Sequence, residues 1–249
     1  MKTLIVIPSR LAATRLPGKP LLKINGLSII SHVFKKAEKA KIGDVLVATE
    51  NQEIIDDVKK NGGQAVLTSN KHNTGTDRIY EALQKTEISN IDLVMNLQGD
   101  EPLIDVDDIR NLNQLMINTH SKIGTLASKI LDEKLYDNQN AVKVKTKEEL
   151  NHKNFPEAIY FKRKTLKKDL NTYHHMGIYC YEIDTLKDFV SYKQSSNEAK
   201  YKLEQLRALE NKIKINVALA KSHSIGIDTK EDFVAIKKIM EYKLSLIHI

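Results

Sequence analysis

The feature that most narrows the folds open to this sequence is an alternation of short aliphatic runs with helix-periodic segments across its first hundred residues. Residues 3–8, TLIVIP, form an isoleucine- and valine-rich run of the kind found in strands buried on both faces of a parallel sheet. Ile29, Ile30, Val33, Phe34 and Ala37 then fall at helical spacing, Gly43 is expected to stop that helix, and residues 45–48 read as a second strand. Ile54, Ile55 and Val58 mark a second helix closed by Gly62-Gly63. Residues 65–67, 79–83 and 91–97 continue as strand, helix and strand. This order predicts an α/β fold with a mainly parallel sheet, helices on both faces and right-handed connections. Ligands in such sheets bind beyond the carboxyl ends of the strands, which singles out the loops after Pro8, Leu67 and Leu97.

Beyond residue 105 the pattern is less regular. Helices are expected at 109–116, 197–209 and 230–242, and strands at 124–129, 141–144, 158–161, 176–181 and 213–218. With no internal repeat, low-complexity linker or Pro/Gly/Ser-rich seam, the second half is expected to complete the sheet and add a small lobe. A chain of 249 residues, 41% hydrophobic, fits one such domain, since single cores stop growing near ~250–300 residues. No apolar run approaches the ~18–20 residues that span a bilayer, and Met1-Lys2-Thr3 leads into a strand-like segment, so a cytoplasmic protein without a membrane partner is expected. The single cysteine, Cys180, permits neither an internal disulfide nor a thiolate metal cluster, and reads as core filler. The net charge of +7 leaves a nucleic-acid-binding protein as an alternative class. The lysines, however, are scattered among acids on helix-like stretches, no aromatic-interleaved basic motif accompanies them, and no nucleic-acid partner is expected.

The chemistry concentrates in three loops. The first, Ser9-Arg10-Leu11-Ala12-Ala13-Thr14-Arg15-Leu16-Pro17-Gly18-Lys19-Pro20, leaves a buried strand with two arginines and a lysine, a set that can wrap a triphosphate. It is not a P-loop, which would need glycine at Ala13 and Ser/Thr at Pro20. Gln98-Gly99-Asp100-Glu101-Pro102 ends the fourth strand with a tight-turn glycine and an acid behind it, placing Asp100 as a magnesium ligand candidate. Asp228 offers a second acid, but on its own reads better as an N-cap for the helix from Lys230. The third loop, Thr74-Gly75-Thr76-Asp77-Arg78, reads as a helix start capped by Thr76 or Asp77.

Together these residues resemble the 3-deoxy-manno-octulosonate cytidylyltransferase family. The resemblance is carried by Thr14-Arg15-Leu16-Pro17-Gly18-Lys19-Pro20, Gly75-Thr76-Asp77-Arg78 and Gln98-Gly99-Asp100-Glu101-Pro102. It continues in His175-Met176-Gly177-Ile178-Tyr179, Leu203-Glu204-Gln205-Leu206-Arg207 and Asp228-Thr229-Lys230-Glu231-Asp232, in the family's order over nearly the whole chain. It implies a Rossmann-like nucleotidyltransferase fold in a single domain, with 1–105 mainly nucleotide-binding and 106–249 mainly sugar-binding and dimerising. It also implies a homodimer, Mg²⁺ as cofactor, and transfer of CMP from CTP to the anomeric hydroxyl of 3-deoxy-D-manno-octulosonate (Kdo), releasing pyrophosphate, for lipopolysaccharide inner-core synthesis. By similarity Arg10, Arg15 and Lys19 hold the triphosphate, with Lys19, Arg10 and Asp100 catalytic. Thr74, Gly75, Thr76, Asp77 and Arg78 line the cytosine and ribose pocket, and Asp100 and Asp228 bind Mg²⁺, which reverses the N-cap reading of Asp228. Gln98, Arg163, His175, Glu204 and Gln205 face the sugar. Two departures fall on the sugar side: Lys162 stands where the family has a small serine, with Lys164-Thr165-Leu166 after Arg163 in place of its usual Ile-Pro, and Tyr201 replaces a family acid. A related acidic sugar such as an amino-Kdo is therefore the alternative substrate. Strand alternation predicts that Lys162 and Lys164 point away from Arg163.

Overall fold

Strand β1 (Thr3–Ser9) carries Leu4, Ile5, Val6 and Ile7 without solvent exposure, so its aliphatic run is buried on both faces as expected. The computed structural model describes residues 1–12, 15–72, 74–164, 170–221 and 226–245; Thr14, Thr165 and Leu166 lie outside the described residues. After β1 come a 3-10 turn (Lys19–Leu21) and a two-residue antiparallel ribbon, β2 (Lys23–Ile24) and β3 (Leu27–Ser28). Helix α1 (Ile29–Ala40) is capped by Ser28, whose Oγ accepts from the Ser31 N–H at 3.2 Å. It buries Ile29, Ile30, Val33, Phe34 and Ala37, and burial of each of the larger side chains contributes roughly 1.5–3 kcal/mol. The helix stops before Gly43: Lys41 already sits in the left-handed region (φ 53) with its N–H on the Glu38 carbonyl, and Gly43 opens β4 (Gly43–Thr49) instead. Then follow α2 (Gln52–Lys60), β5 (Ala65–Leu67), α3 (Gly75–Lys85) and β6 (Leu93–Asn96), the expected alternation.

The later elements are α4 (Val106–Thr119), β7 (Ile123–Ser128), α5 (Lys134–Asp137), β8 (Lys143–Thr146), β9 (Ala158–Lys162), β10 (Thr172–Glu182) and α6 (Ile183–Ser191). The chain ends with α7 (Ser196–Tyr201), α8 (Gln205–Glu210), β11 (Ile215–Leu219) and α9 (Lys230–Ser245). The single helix expected at 197–209 is two. Lys202 turns left-handed (φ 53), and the Tyr201 and Lys202 carbonyls accept from Arg163 (3.0 Å each) rather than from a further helical turn. The strand expected at 141–144 begins two residues later, at Lys143.

The chain forms two compact units that interleave in sequence. The first takes Leu4–Ser89, Asn96–Val106 and the described residues of Ser224–Ile249; the second takes Met1–Thr3, Asn90–Met95 and the described residues of Asp107–His223. In the first unit the strand order is β1-β4-β5, with β4 and β5 parallel. In the second it is β11-β7-β10-β6, with β11 parallel to β7, β10 antiparallel to β7, and β8 and β9 added antiparallel beyond β10. The fold is α/β with mixed pairing, parallel at β4–β5 and β11–β7, and β8, β9 and β10 carry the departure from plain parallel winding.

Candidate active site

In the first unit the loop after β1 is folded back on itself. The Leu11 N–H donates to Asn51 Oδ1 (2.9 Å) and the Gly18 N–H donates to the Leu11 carbonyl (3.2 Å). Gly18 adopts φ 69, a left-handed backbone that favours glycine, and so swings Lys19 to the head of the 3-10 turn. There Lys19 Nζ donates to Asp100 Oδ2 at 2.6 Å and reaches Asp228 Oδ1 at 3.4 Å, while Arg15 Nη2 donates to Asp228 Oδ2 at 3.0 Å. Asp100 arrives behind Gly99, where a Cβ would stand 3.0 Å from the Pro8 carbonyl oxygen and 3.1 Å from Ile30 Cδ1. A side chain there would push the acid's loop off β1.

The N-cap role does not fall on Asp228. The cap of α9 is Thr229, whose Oγ1 accepts from the Asp232 N–H (3.2 Å), while Asp232 Oδ2 accepts from the Thr229 and Asp228 N–H groups. This reciprocal box leaves the Asp228 carboxylate turned to Lys19 and Arg15. The cap of α3 likewise falls on Thr74, whose Oγ1 accepts from the Asp77 N–H (3.2 Å), and not on Thr76 or Asp77.

One cleft of about 370 Å³ gathers Arg10, Arg15, Lys19, Thr74, Gly75, Arg78, Gln98, Asp100 and Asp228, with His72 added. Thr76, which is buried, and Asp77 are not among its lining residues. Arg78 is buried: it donates to Thr68 Oγ1 (2.7 Å) and the Ser69 carbonyl (3.3 Å) and pairs with Glu50, so its charge anchors the segment after β5. What remains toward the cleft is the amino-terminal end of α3 and the Arg10, Arg15 and Lys19 cations, a surface suited to phosphates.

In the second unit His175 is buried on β10 beside an irregularity in the ladder. Met176 pairs with Leu126 and Tyr179 with Thr125, so Gly177 and Ile178 bulge out. The Thr125 hydroxyl fills the bulge, donating to the Ile178 carbonyl at 2.6 Å and accepting from His175 Nε2 at 3.0 Å. That arrangement puts the ring proton on Nε2 and leaves Nδ1 an acceptor. Burial, with His174 adding, pushes the imidazole down to about 3, so it is neutral and a hydrogen-bonding group at pH 7. Phe161 packs edge-on at 5.0 Å and Tyr179 lies at 5.4 Å; burial, Tyr181 and Glu204 push the Tyr179 phenol up. Gln205, also buried, opens α8, directly after Glu204.

Arg163 stands differently. Strand β9 ends at Lys162, so strand alternation does not govern Arg163, and Lys162, Arg163 and Lys164 line one cleft of about 630 Å³ together with Tyr160 and Tyr201. Both departures from the family pattern, Lys162 and Tyr201, therefore meet in a single place. The cleft's lining does not include His175, Glu204 or Gln205, and the Arg163 guanidinium donates to three main-chain carbonyls: Gln139 (3.2 Å), Tyr201 and Lys202. Sequence reasoning also passed over His72 and Tyr179. The second sits in the quoted His175-to-Tyr179 motif; the first was hidden because a lone histidine in a loop carries no spacing signal.

With this geometry established, comparison places the chain. The cytidylyltransferase family model matches residues 4–215. The 3-deoxy-manno-octulosonate cytidylyltransferase of Rhodopseudomonas palustris is 43% identical over 243 residues, covering 97% of this chain and 98% of the relative. The chain belongs to the 3-deoxy-manno-octulosonate cytidylyltransferase family. The enzyme of the same description from Thermodesulfovibrio yellowstonii is also 43% identical, over 96% of this chain and 98% of its own. A solved structure of CMP:2-keto-3-deoxy-manno-octonic acid synthetase complexed with CTP superimposes with a TM-score of 0.86 at 34% identity, covering 98% of this chain and all of the other. This cytidylyltransferase thus has the nucleotidyltransferase fold expected from its motifs.

Proposed function

We propose that this enzyme transfers CMP from CTP to the anomeric hydroxyl of Kdo, giving CMP-Kdo and pyrophosphate for lipopolysaccharide inner-core synthesis. The observation that carries the reading is the convergence of Lys19, Arg15, Asp100 and Asp228 in one cleft, within a family whose relatives are named for this reaction. Two carboxylates meeting at one ammonium mark a point where a divalent cation fits. Magnesium typically takes one or two carboxylates and completes its shell with substrate phosphates and water. Asp100 and Asp228 would hold it, and when bound it would neutralise phosphate charge and acidify a nearby hydroxyl.

The chain's own residues do the rest by positioning and charge. Arg10 and Arg15 offer forked donors to the triphosphate oxygens, and Lys19 a mobile point charge that can leave its carboxylates for the pyrophosphate as negative charge develops. Attack by the sugar hydroxyl in line with the departing pyrophosphate asks for no covalent intermediate, only for alignment. On the sugar side the reading assigns Gln98, Arg163, His175, Glu204 and Gln205. It further holds that the working enzyme is a cytoplasmic homodimer. Among the described residues no helix is long and apolar enough to cross a membrane.

The test is a pyrophosphate-release assay with CTP, Mg²⁺ and a panel of acidic sugars. Release with Kdo well above that with an amino-Kdo or a sialic-type acid supports the reading. Preference for another member of the panel assigns the Lys162 and Tyr201 departures to a changed sugar and overturns Kdo.

A further inference from the structure

The cleft contains a side-chain pair that the phosphate and metal assignments leave unused. His72 lines it from the loop between β5 and α3, and its Nε2 is bonded to Glu81 Oε2 on α3. Glu81 is itself held: the Ser69 N–H donates to the same oxygen at 2.8 Å, and Lys85 Nζ reaches Oε1 at 2.6 Å while also donating to the Leu67 carbonyl at 3.0 Å. Burial works against ionisation of this carboxyl, yet the bonds from Lys85, His72 and the Ser69 N–H hold it down at about 2. Glu81 is therefore a fixed acceptor. A carboxylate can only accept, so Nε2 carries the proton and Nδ1 is the nitrogen left for a ligand.

We infer that His72 is a specificity-determining residue of the nucleotide site, receiving a ribose hydroxyl of the substrate on Nδ1, with Glu81 as the positioning residue that sets the ring's orientation. The choice among the nucleotide's groups follows from charge and proton count. A phosphate gains little here, because the imidazole is held by the fixed Glu81 carboxylate, while Arg10, Arg15 and Lys19 line the same cleft as permanent cations. With Nδ1 an acceptor, a cytosine carbonyl cannot pair with it; a ribose hydroxyl can donate to it, and deoxy analogues distinguish that hydroxyl from the other donor of the nucleotide, the exocyclic amine. The inference deepens the reading of this cleft as a cytidine nucleotide site, and does not depend on which sugar is the acceptor.

The experiment is calorimetric titration of CTP, 2′-deoxy-CTP and 3′-deoxy-CTP in magnesium buffer without any sugar, so that a wrong sugar assignment leaves the result untouched. The wild-type enzyme is expected to bind CTP about tenfold or more tightly than at least one deoxy analogue, the effect of a lost hydrogen bond to an oriented polar group. His72→Phe should bring the three affinities within roughly threefold by weakening CTP alone. His72→Asn, whose amide oxygen can accept near the place of Nδ1, should recover part of the preference, and Glu81→Gln should lose part of it. Equal weakening of all three nucleotides by His72→Phe and His72→Asn, or a wild-type enzyme that binds the three alike or not at all, overturns the inference.

Discussion

Charged side chains on the cleft wall of the first unit and in the interior of the second do opposite things. In the first, Lys19, Arg15, Asp100 and Asp228 meet on a cleft wall, with Arg15 and Asp228 about half exposed and the contacts running side chain to side chain. In the second, three cations are committed to the fold. Lys143 is fully buried with Nζ donating to the Asn138, Ala141 and Arg163 carbonyls, Arg163 clasps three more, and Arg207 forms a buried bidentate pair with Glu198 (2.5 and 2.8 Å) under the Phe189 ring. An ion pair open to solvent, such as Arg15–Asp228, is individually weak, so a ligand can take over its charges at little cost. A buried, saturated cation cannot be handed over without orphaning its partners. The charges on the cleft wall are built to be exchanged; the buried ones, with Arg78–Glu50 of the first unit among them, are built to be kept.

The largest effect should come from breaking a kept charge. Arg207→Ala leaves Glu198 buried and unpaired and is expected to destabilise the protein by about 3–5 kcal/mol in denaturant unfolding. Turnover measured well below its melting temperature should stay close to wild type. A large rate loss without a stability loss would move Arg207 into the other class.

The converse holds for the exchanged charges. Asp100→Asn, Asp228→Asn and Lys19→Ala should each remove about 2.7–4 kcal/mol of transition-state stabilisation, roughly 10²–10³ in rate, by analogy with losing one preorganised group. Their melting temperatures should shift little. Near-wild-type pyrophosphate release by both aspartate variants at saturating Mg²⁺ would remove them from the metal site.

Arg163 tests whether the division is clean. Its three carbonyl bonds predict a stability loss on the order of 2 kcal/mol for Arg163→Ala. Its assignment to the acidic sugar predicts in addition a KM for the sugar raised far more than that for CTP. Stability loss with unchanged sugar KM would make Arg163 scaffold alone.

A smaller, pH-dependent effect is expected at His175. The folded ring, at about 3, is harder to protonate than the unfolded one near 6.5, so the unfolded chain binds the extra proton. Stability therefore falls as pH drops from 6.5 towards 3. At ~1.4 kcal/mol per pH unit this contributes a loss of about 2 kcal/mol at pH 5. His175→Gln, whose amide can still reach Thr125, should flatten that part of the stability curve; an unchanged acid limb would show that the ring is not buried neutral.

The same contrast explains what the sequence made legible. Period and residue type revealed the alternation up to β6 and the loops that carry Arg10, Lys19 and Asp100, because buried parallel strands are uniformly aliphatic and their ends are where polar residues stand out. Asp228 was recoverable only by resemblance: one position separates a capping acid from an exchanged one, and Thr229 decides between them through side-chain bonds that a sequence does not display. For Arg78 and Arg163 the sequence shows a cation but not what already holds its fork, Glu50 in the one case and a set of main-chain carbonyls in the other. The break between α7 and α8 was missed for a related reason. Lys202 has no turn-forming character of its own, and the carbonyls freed there are satisfied by a residue nearly forty positions away.

The most direct test of the central claim is ³¹P NMR of the wild-type protein with CTP, Kdo and Mg²⁺ in one tube, followed beside Asp100→Asn. The account predicts stoichiometric loss of the three triphosphate resonances with growth of one phosphodiester signal and pyrophosphate in the wild type. Asp100→Asn should be slowed by roughly 10²–10³. Triphosphate that stays intact with Kdo while being consumed with a different acidic sugar, or pyrophosphate appearing without a phosphodiester product, would contradict it.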